Sequence, residues 1–249
     1  MRVERTYSTN TLLKEMLVKG EWPEGEEYLY AGFQTAGRGQ TGNGWESEEG
    51  KNLLCSILLP PRANLFELNV ITSVAVHRMI NCQFSILNSQ LTIKWPNDIY
   101  WGDKKLAGIL IENAIIGNEV KYSIAGIGLN VNQTEWKSDA PNPVSLKQIT
   151  GKEYDIDALM TTLMNKIHEV QTMRQEDIWE YYRRHLYRRE GEWLFAEREV
   201  NLTPSRILTK QPKEAFKASI ADITKQGELV LRTAQGEKKY HFKEILFVV

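Results

Sequence analysis

Cysteine is scarce in this chain: Cys55 and Cys82 are its two thiols in 249 residues. Neither stands in a C-x-x-C spacing and two thiols build no disulfide framework, so both are read as buried free cysteines. Long apolar runs are missing as well. No window approaches the roughly 18 continuous apolar residues of a membrane span, and Met1-Arg2-Val3-Glu4-Arg5 carries no apolar leader, which leads us to expect a cytoplasmic protein with no membrane partner. An excess of one charge is also absent. With 31 Lys and Arg against 32 Asp and Glu, the formal charge of −1 gives no long-range attraction for nucleic acid. The four histidines are scattered; His168-Glu169 begins a zinc-protease string, but Thr172 occupies the place of its second histidine. No internal repeat or low-complexity tract is visible.

What is present is an ordinary globular composition, 42% apolar and 25% charged, long enough for one large domain with or without a satellite. The most unusual stretch runs from Gln34 to Trp45, where Gly37, Gly39, Gly42 and Gly44 fall close together around Arg38. Glycines allow positive φ and let backbone amides crowd a ligand, and arginine grips carboxylate or phosphate oxygens, so the loop is expected to wrap something anionic or polar. Gly37-x-Gly39-x-x-Gly42 fits the dinucleotide-binding pattern, yet a second apolar run from Leu53 to Leu59 follows in place of the helix that pattern needs. The Gly-Lys-Ser/Thr ending of a P-loop is absent too.

Along the chain, Ser8-Thr9-Asn10 precedes Leu12, Leu13, Met16 and Leu17 with Gly20 as a stop, a capped helix by pattern. Tyr28 to Phe33 and Leu53 to Leu59 read as buried strands. Asn64 and Glu67 resemble a capping box before a helix that runs to Ile80. Strands are expected at Leu91 to Trp95, Ile99 to Trp101, Lys105 to Ile116 and Val120 to Val131, with Gly117-Asn118 as a hairpin loop, which implies a largely antiparallel or mixed sheet. Asp155 caps a second long helix through Val170, and a third carries Ile178, Trp179, Tyr182 and Leu186. Arg183, Arg184, His185, Arg188 and Arg189 close it as a solvated helix end, suited to the macrodipole. From about Gly191 short strand-like pieces (Val200 to Leu202, Ala215 to Ile220, Leu229 to Leu231, Ile245 to Val249) suggest a small all-β satellite.

A second constellation joins Lys94-Trp95-Pro96-Asn97-Asp98 to the strand from Lys105 to Glu112. A lysine within an apolar strand must face solvent or a charged partner, because burying it unpaired is costly. Ala107-Gly108 in mid-strand leaves room for a ligand or backbone, and Asn97 and Asp98 offer oxygens to a hydrated Mg²⁺ or a ribose.

These motifs, with Gly126-Ile127-Gly128-Leu129-Asn130-Val131-Asn132 and Ser8-Thr9-Asn10, resemble those of the biotin–protein ligases over nearly the whole chain. The resemblance implies an α+β fold: a mixed, mostly antiparallel sheet flanked by helices, like a class II synthetase, over residues 1–189, and a small SH3-like β domain over 190–249. It implies biotin and MgATP as substrates, biotinyl-AMP as intermediate, and a lysine of a biotin carboxyl carrier protein as acceptor, in a monomer or homodimer. By motif match Arg38, Lys94 and Lys105 are catalytic. Ser8, Thr9, Asn10, Gln34, Gly37, Arg38, Gly39, Gln40, Lys105 and Gly108 serve biotin; Arg38, Trp45, Lys94, Asn97, Asp98 and Asn130 serve ATP. Mg²⁺ is held mainly by the nucleotide's phosphates. The sister reading is a lipoate or octanoate ligase or transferase, against which the full Gly37-Arg38-Gly39 loop with Lys105-Leu106-Ala107-Gly108 argues.

The pattern departs in three places. Gln40 stands where many members have an arginine tied to adenylate retention, and Leu246-Phe247-Val248-Val249 lacks a terminal arginine that some direct at the nucleotide. Only Met1 to Tyr7 precede Ser8, where bifunctional members carry a helix-turn-helix domain, so a ligase without repressor activity or a nucleic-acid partner is expected.

Overall fold

A computed structural model describes residues 1–40, 43–84, 90–117, 119–138, 140–203, 206–209 and 211–248. Its elements in order are β1 (Arg2–Thr6), α1 (Thr9–Lys19), β2 (Tyr28–Gln34), β3 (Leu53–Leu59), α2 (Phe66–Gln83), β4 (Leu91–Lys94), β5 (Asp98–Trp101), β6 (Lys104–Ile116) and β7 (Glu119–Leu129). Then come α3 (Leu146–Thr150), α4 (Ile156–Thr172), α5 (Gln175–Arg184), β8 (Trp193–Glu197), β9 (Val200–Thr203), β10 (Arg206–Thr209), β11 (Ala215–Ile223), β12 (Leu229–Thr233), β13 (Gly236–Tyr240) and β14 (Ile245–Phe247).

β1 to β7 form one sheet in the order β1-β2-β3-β7-β6-β5-β4, parallel at the β1–β2 pair and antiparallel at the others. The alternation of side chains along a strand decides what each face meets. In β3, Leu53, Cys55, Ile57 and Leu59 join Ala125, Ile127 and Leu129 of β7 in the main core, against α2 and α4. The opposite face carries Leu54 and Ser56, beside α1. That second face holds the site described below. The fold is the expected α+β arrangement with a mixed, mostly antiparallel sheet.

Local chemistry accounts for several helix ends. Gly20 ends α1 in a left-handed conformation at φ 71°, and Asp155 caps α4 by accepting from the amides of Asp157 and Ala158. The expected capping box at α2 is replaced by another arrangement: Asn64 accepts from the Phe66 amide and donates to the Lys225 carbonyl, so it ties the helix start to the C-terminal region. Gly117 turns the β6–β7 hairpin at φ 63°; its partner Asn118 lies outside the described residues. Short α3, with a Ser145/Gln148 capping box, was not foreseen.

Residues after Gly191 build a second antiparallel sheet, β13-β12-β11-β8-β14, beside a β9–β10 pair. Here the arginine run departs from expectation. Arg183 pairs with Asp222 at 2.7 Å, Arg189 donates to the Ile220 carbonyl at 3.1 Å and Arg188 to that of Val248 at 2.8 Å. These side chains fasten the second sheet to the end of α5 rather than lying in solvent. An exposed ion pair contributes only about 0–1 kcal/mol, so their effect is mainly on position. Cys55 is buried as expected, but Cys82, on the open side of α2, is exposed.

Candidate functional site

A cleft of about 560 Å³ opens between the 34–45 loop, the glycine-bearing centre of β6 and β7, the 94–98 turn and parts of the second sheet. Its first region is a buried polar network. Ser8 takes the extended backbone of an N-cap, but its side chain makes no capping bond. Thr9 instead directs its amide and hydroxyl at Gln34 Oε1, at 2.7 and 3.1 Å. Ser56 Oγ, 0% exposed, donates to Asn10 Oδ1 at 2.5 Å with Thr9 Oγ1 2.8 Å away. Asn10 Nδ2 donates to Glu112 Oε2 at 2.7 Å, and the same carboxylate oxygen receives the Arg38 guanidinium at 2.6 Å. Ser8, Thr9 and Asn10 are each 4% exposed, so the triplet is turned into the fold rather than spent on capping.

Glycines form the floor next to this network. Gly108 of β6 faces Gly128 of β7 across the ladder, with Gly126 two residues back on the same face. A Cβ on Gly126 would stand 2.4 Å from Asn10 Oδ1, and one on Gly128 2.4 Å from the Trp45 ring. The indole of Trp45 therefore lies directly on the sheet, and Lys105 Nζ stands 5.8 Å from its ring centroid. Trp45 Nε1 is buried without an acceptor among the described residues. The loop folds back as a hairpin, Trp45 donating its amide to the Gly37 carbonyl and Gly39 to that of Asn43, both at 2.9 Å. None of Gly37, Gly39 and Gly44 takes positive φ, contrary to the expected reason for glycine here, and Gly42 lies outside the described residues. Gly37 is required by close approach instead: its Cβ would meet the Trp45 carbonyl at 2.5 Å.

The rest of the cleft is cationic. Lys105 pairs with Asp98 at 2.7 Å. Lys94 donates to the Tyr100 hydroxyl at 3.2 Å, and burial pulls its ammonium below the ordinary lysine range, with Asp98 opposing and Lys105 and Arg188 reinforcing the shift. Asn97 is 2% exposed and fully engaged, accepting from Gln40 at 3.0 Å and donating to Asn69 at 2.7 Å. Arg198 and Lys243 reach the lining from the second sheet region. Arg38, Lys94, Lys105, Arg198 and Lys243 thus share the cleft wall with one carboxylate, Asp98, among the described residues. Such a wall favours an anionic ligand.

The structure brings most of the motif-matched residues to this cleft, with two exceptions. Gly37 stands behind the lining, and Asn130, 3% exposed, braces the wall by donating to the carbonyls of Lys105 and Val144. Sequence reasoning left Ser56, Glu112 and Arg198 unassigned. Ser56 had a readable signal, a lone hydroxyl in the apolar strand Leu53–Leu59, the same reasoning that singled out Lys94. Among the described residues no group of three His, Cys, Asp or Glu side chains could hold a metal ion. No helix among them is long and apolar enough to cross a membrane.

A family model described as the biotin/lipoate A/B protein ligase family matches residues 3–130. The bifunctional ligase/repressor BirA of Bacillus spizizenii is 37% identical over 147 residues, 56% of this chain and 43% of that protein. A biotin–[acetyl-CoA-carboxylase] ligase of Paracoccus denitrificans is 30% identical over 166 residues, covering 64% of this chain and 67% of the relative. Matched regions thus span under half of the Bacillus relative and two thirds of the Paracoccus one. Among solved structures, a biotin protein ligase from Aquifex aeolicus in complex with biotin and ATP aligns with TM-score 0.74 at 25% identity, over 100% of this chain and 97% of that one. The Paracoccus relative and the Aquifex structure are named as biotin ligases, and the chain belongs to the biotin/lipoate A/B protein ligase family.

Proposed function

We propose that this chain joins biotin to AMP from MgATP, releasing pyrophosphate, and then passes the biotinyl group to a lysine of a carboxyl carrier protein with release of AMP. The observation that carries the reading is the make-up of the cleft: a neutral hydrogen-bonding network at Thr9, Asn10, Gln34 and Ser56 adjoining a wall of cations. Biotin has that split character, a polar ureido ring and a carboxylate at the far end of its chain. The solved Aquifex relative holds biotin and ATP, and the Paracoccus relative is named for the carboxylase it modifies.

In this reading the network takes the ureido ring and the cations meet the two anions that must react. Carboxylate and triphosphate repel each other, and Arg38 and Lys105 offset that repulsion where the carboxylate oxygen attacks the α-phosphorus and pyrophosphate leaves. Lys94 holds the departing phosphates. Glu112 and Asp98 keep Arg38 and Lys105 in place until ligand oxygens compete for them. Trp45, with its orphaned indole N–H, closes over the adenylate and keeps water from the mixed anhydride. The acceptor lysine then attacks the carbonyl, AMP leaves, and no enzyme nucleophile is needed. In this reading magnesium would be held mainly by the nucleotide phosphates.

We further propose that residues 1–189 form the catalytic domain and 190–249 a small SH3-like domain, a division supported by the separate second sheet. The activity is ligation without operator binding, which the formal charge of −1 supports. The test is ATP-dependent transfer of labelled biotin, lipoate or octanoate to purified carrier domains. Transfer of biotin to a biotin carrier alone is expected; transfer of lipoate or octanoate in its place would move the chain to the sister activity that the family also covers.

A further inference from the structure

Lys94 sits in an unusual setting. Its Nζ lies 4.6 Å from the ring centroid of Tyr100, 5.7 Å from that of Tyr187 and 5.3 Å from that of Phe247. Tyr100 lies on β5, Tyr187 just beyond α5 and Phe247 on β14, so three separate parts of the chain supply one box. Its walls touch one another, with centroids 5.3 Å apart for Tyr100–Tyr187 and 5.9 Å for Tyr187–Phe247. The box is also held from outside. Tyr187 donates its amide to the Ile93 carbonyl at 2.9 Å and its hydroxyl to Asp103 at 2.5 Å, while Phe247 packs on Phe195 at 5.0 Å. Arg188, in the left-handed region at φ 58°, stacks 5.0 Å over Tyr187 and donates to the Val248 carbonyl. A non-glycine residue kept at positive φ marks a place where the surroundings dictate the backbone.

Among the described residues no carboxylate forms an ion pair with Lys94, and the Tyr100 hydroxyl is its one hydrogen-bond partner. Aromatic faces attract an ammonium without neutralising it and without taking its N–H groups as a carboxylate would. Lys105, paired with Asp98, is held in the opposite way.

We propose that Tyr187 and Phe247 are positioning residues for Lys94, holding its ammonium fixed without an ion pair at the cleft wall for a nucleotide polyphosphate, so that β14 is part of the phosphate-binding machinery. The polyphosphate rests on the ligase reading above; the box itself does not. Loss of one ring lowers the attraction that keeps the ammonium charged and in place.

The test compares Phe247→Leu, which keeps apolar volume and removes the π face, with Phe247→Tyr, which restores it, each checked for unchanged Tm. Calorimetry should show ATP binding weakened about three- to tenfold in the leucine variant, adenosine binding unchanged, and ATP binding recovered in the tyrosine variant. Competitive acetylation of Lys94 across pH should show its titration moved further down by about half a unit in Phe247→Leu alone. If Phe247→Leu lowers Tm, Tyr187→Leu with Tyr187→Phe replaces the pair. Equal loss for ATP and adenosine, or no change in either readout, would overturn the proposal. A wild type that binds no ATP would overturn the ligand assignment and with it the ligase reading, while the acetylation profile still reports whether the rings hold Lys94.

Discussion

Glu112 Oε2 receives both the Asn10 amide and the Arg38 guanidinium, so one carboxylate oxygen links the buried network to the glycine-rich loop. The amide oxygen of glutamine at this position can still accept from both but brings no charge to Arg38. A hydrogen bond to a charged group is worth roughly 1.5–3 kcal/mol, so Glu112→Gln should raise the KM for biotin about tenfold or more with Tm nearly unchanged. A KM within a factor of two of wild type would show that the bridge plays no part. This role was hidden in the sequence because Glu112 ends the Lys105 to Glu112 stretch without any local sign of its partners, which lie 74 and 102 residues away. Ser8, Thr9 and Asn10 show the reverse. Their residue types fit an N-cap, and only the bonds of Thr9 to Gln34 and Ser56 and of Asn10 to Ser56 reveal that those two side chains are committed elsewhere, while Ser8 is buried without making a capping bond.

Among elements, β7 does most to shape the cleft, because Gly126 and Gly128 let Asn10 and Trp45 rest on bare backbone. Gly126→Ala would place a methyl 2.4 Å from Asn10 Oδ1 and push that side chain from the network. We expect biotin affinity by calorimetry to fall at least about tenfold, the scale of one displaced buried hydrogen bond, with ATP affinity held within about twofold; parallel losses of both would instead indicate a distorted sheet. Strands β2 to β7 of the first sheet and the long helices were legible, because apolar runs and capped helical faces are local signals, whereas β1, Arg-Val-Glu-Arg-Thr, has no apolar run. β13 was not: Gly-Glu-Lys-Lys-Tyr has no apolar run and becomes a strand through its ladder with β12. Likewise α3, at five residues, is too short for helical periodicity to register.

Across the whole molecule, buried polar groups and arginine contacts join the parts that the strands and helices define. His77, 1% exposed, joins α2 to α5 and β4: its Nε2 faces the Leu91 carbonyl at 3.1 Å, which can only accept, so Nδ1 takes the Tyr181 hydroxyl at 3.0 Å. Burial, first of all, holds the His77 pKa down at about 4, and burial also lowers that of His185 beside it. The folded state thus binds fewer protons than the unfolded chain between the ordinary histidine value and about 4. Stability should be flat above pH 6.5 and fall as pH drops through that window, by up to about 3 kcal/mol from His77. Denaturant midpoints at pH 7.5, 6 and 5 check this, and His77→Gln should flatten the fall; an equal fall in that variant would assign it to other groups. The arginines at and beyond the end of α5 read as a solvated helix end because local sequence shows their charge but not Asp222 or the carbonyls of Ile220 and Val248 that receive them. The cationic cleft is proposed to activate biotin's carboxylate, and biotin-dependent ATP–pyrophosphate exchange measures that half-reaction directly. Exchange with biotin and not with lipoate or octanoate, lowered ~10²-fold in Arg38→Ala and in Lys105→Ala, is the expected result. Exchange absent with all three acids, or unchanged in both variants, would contradict it.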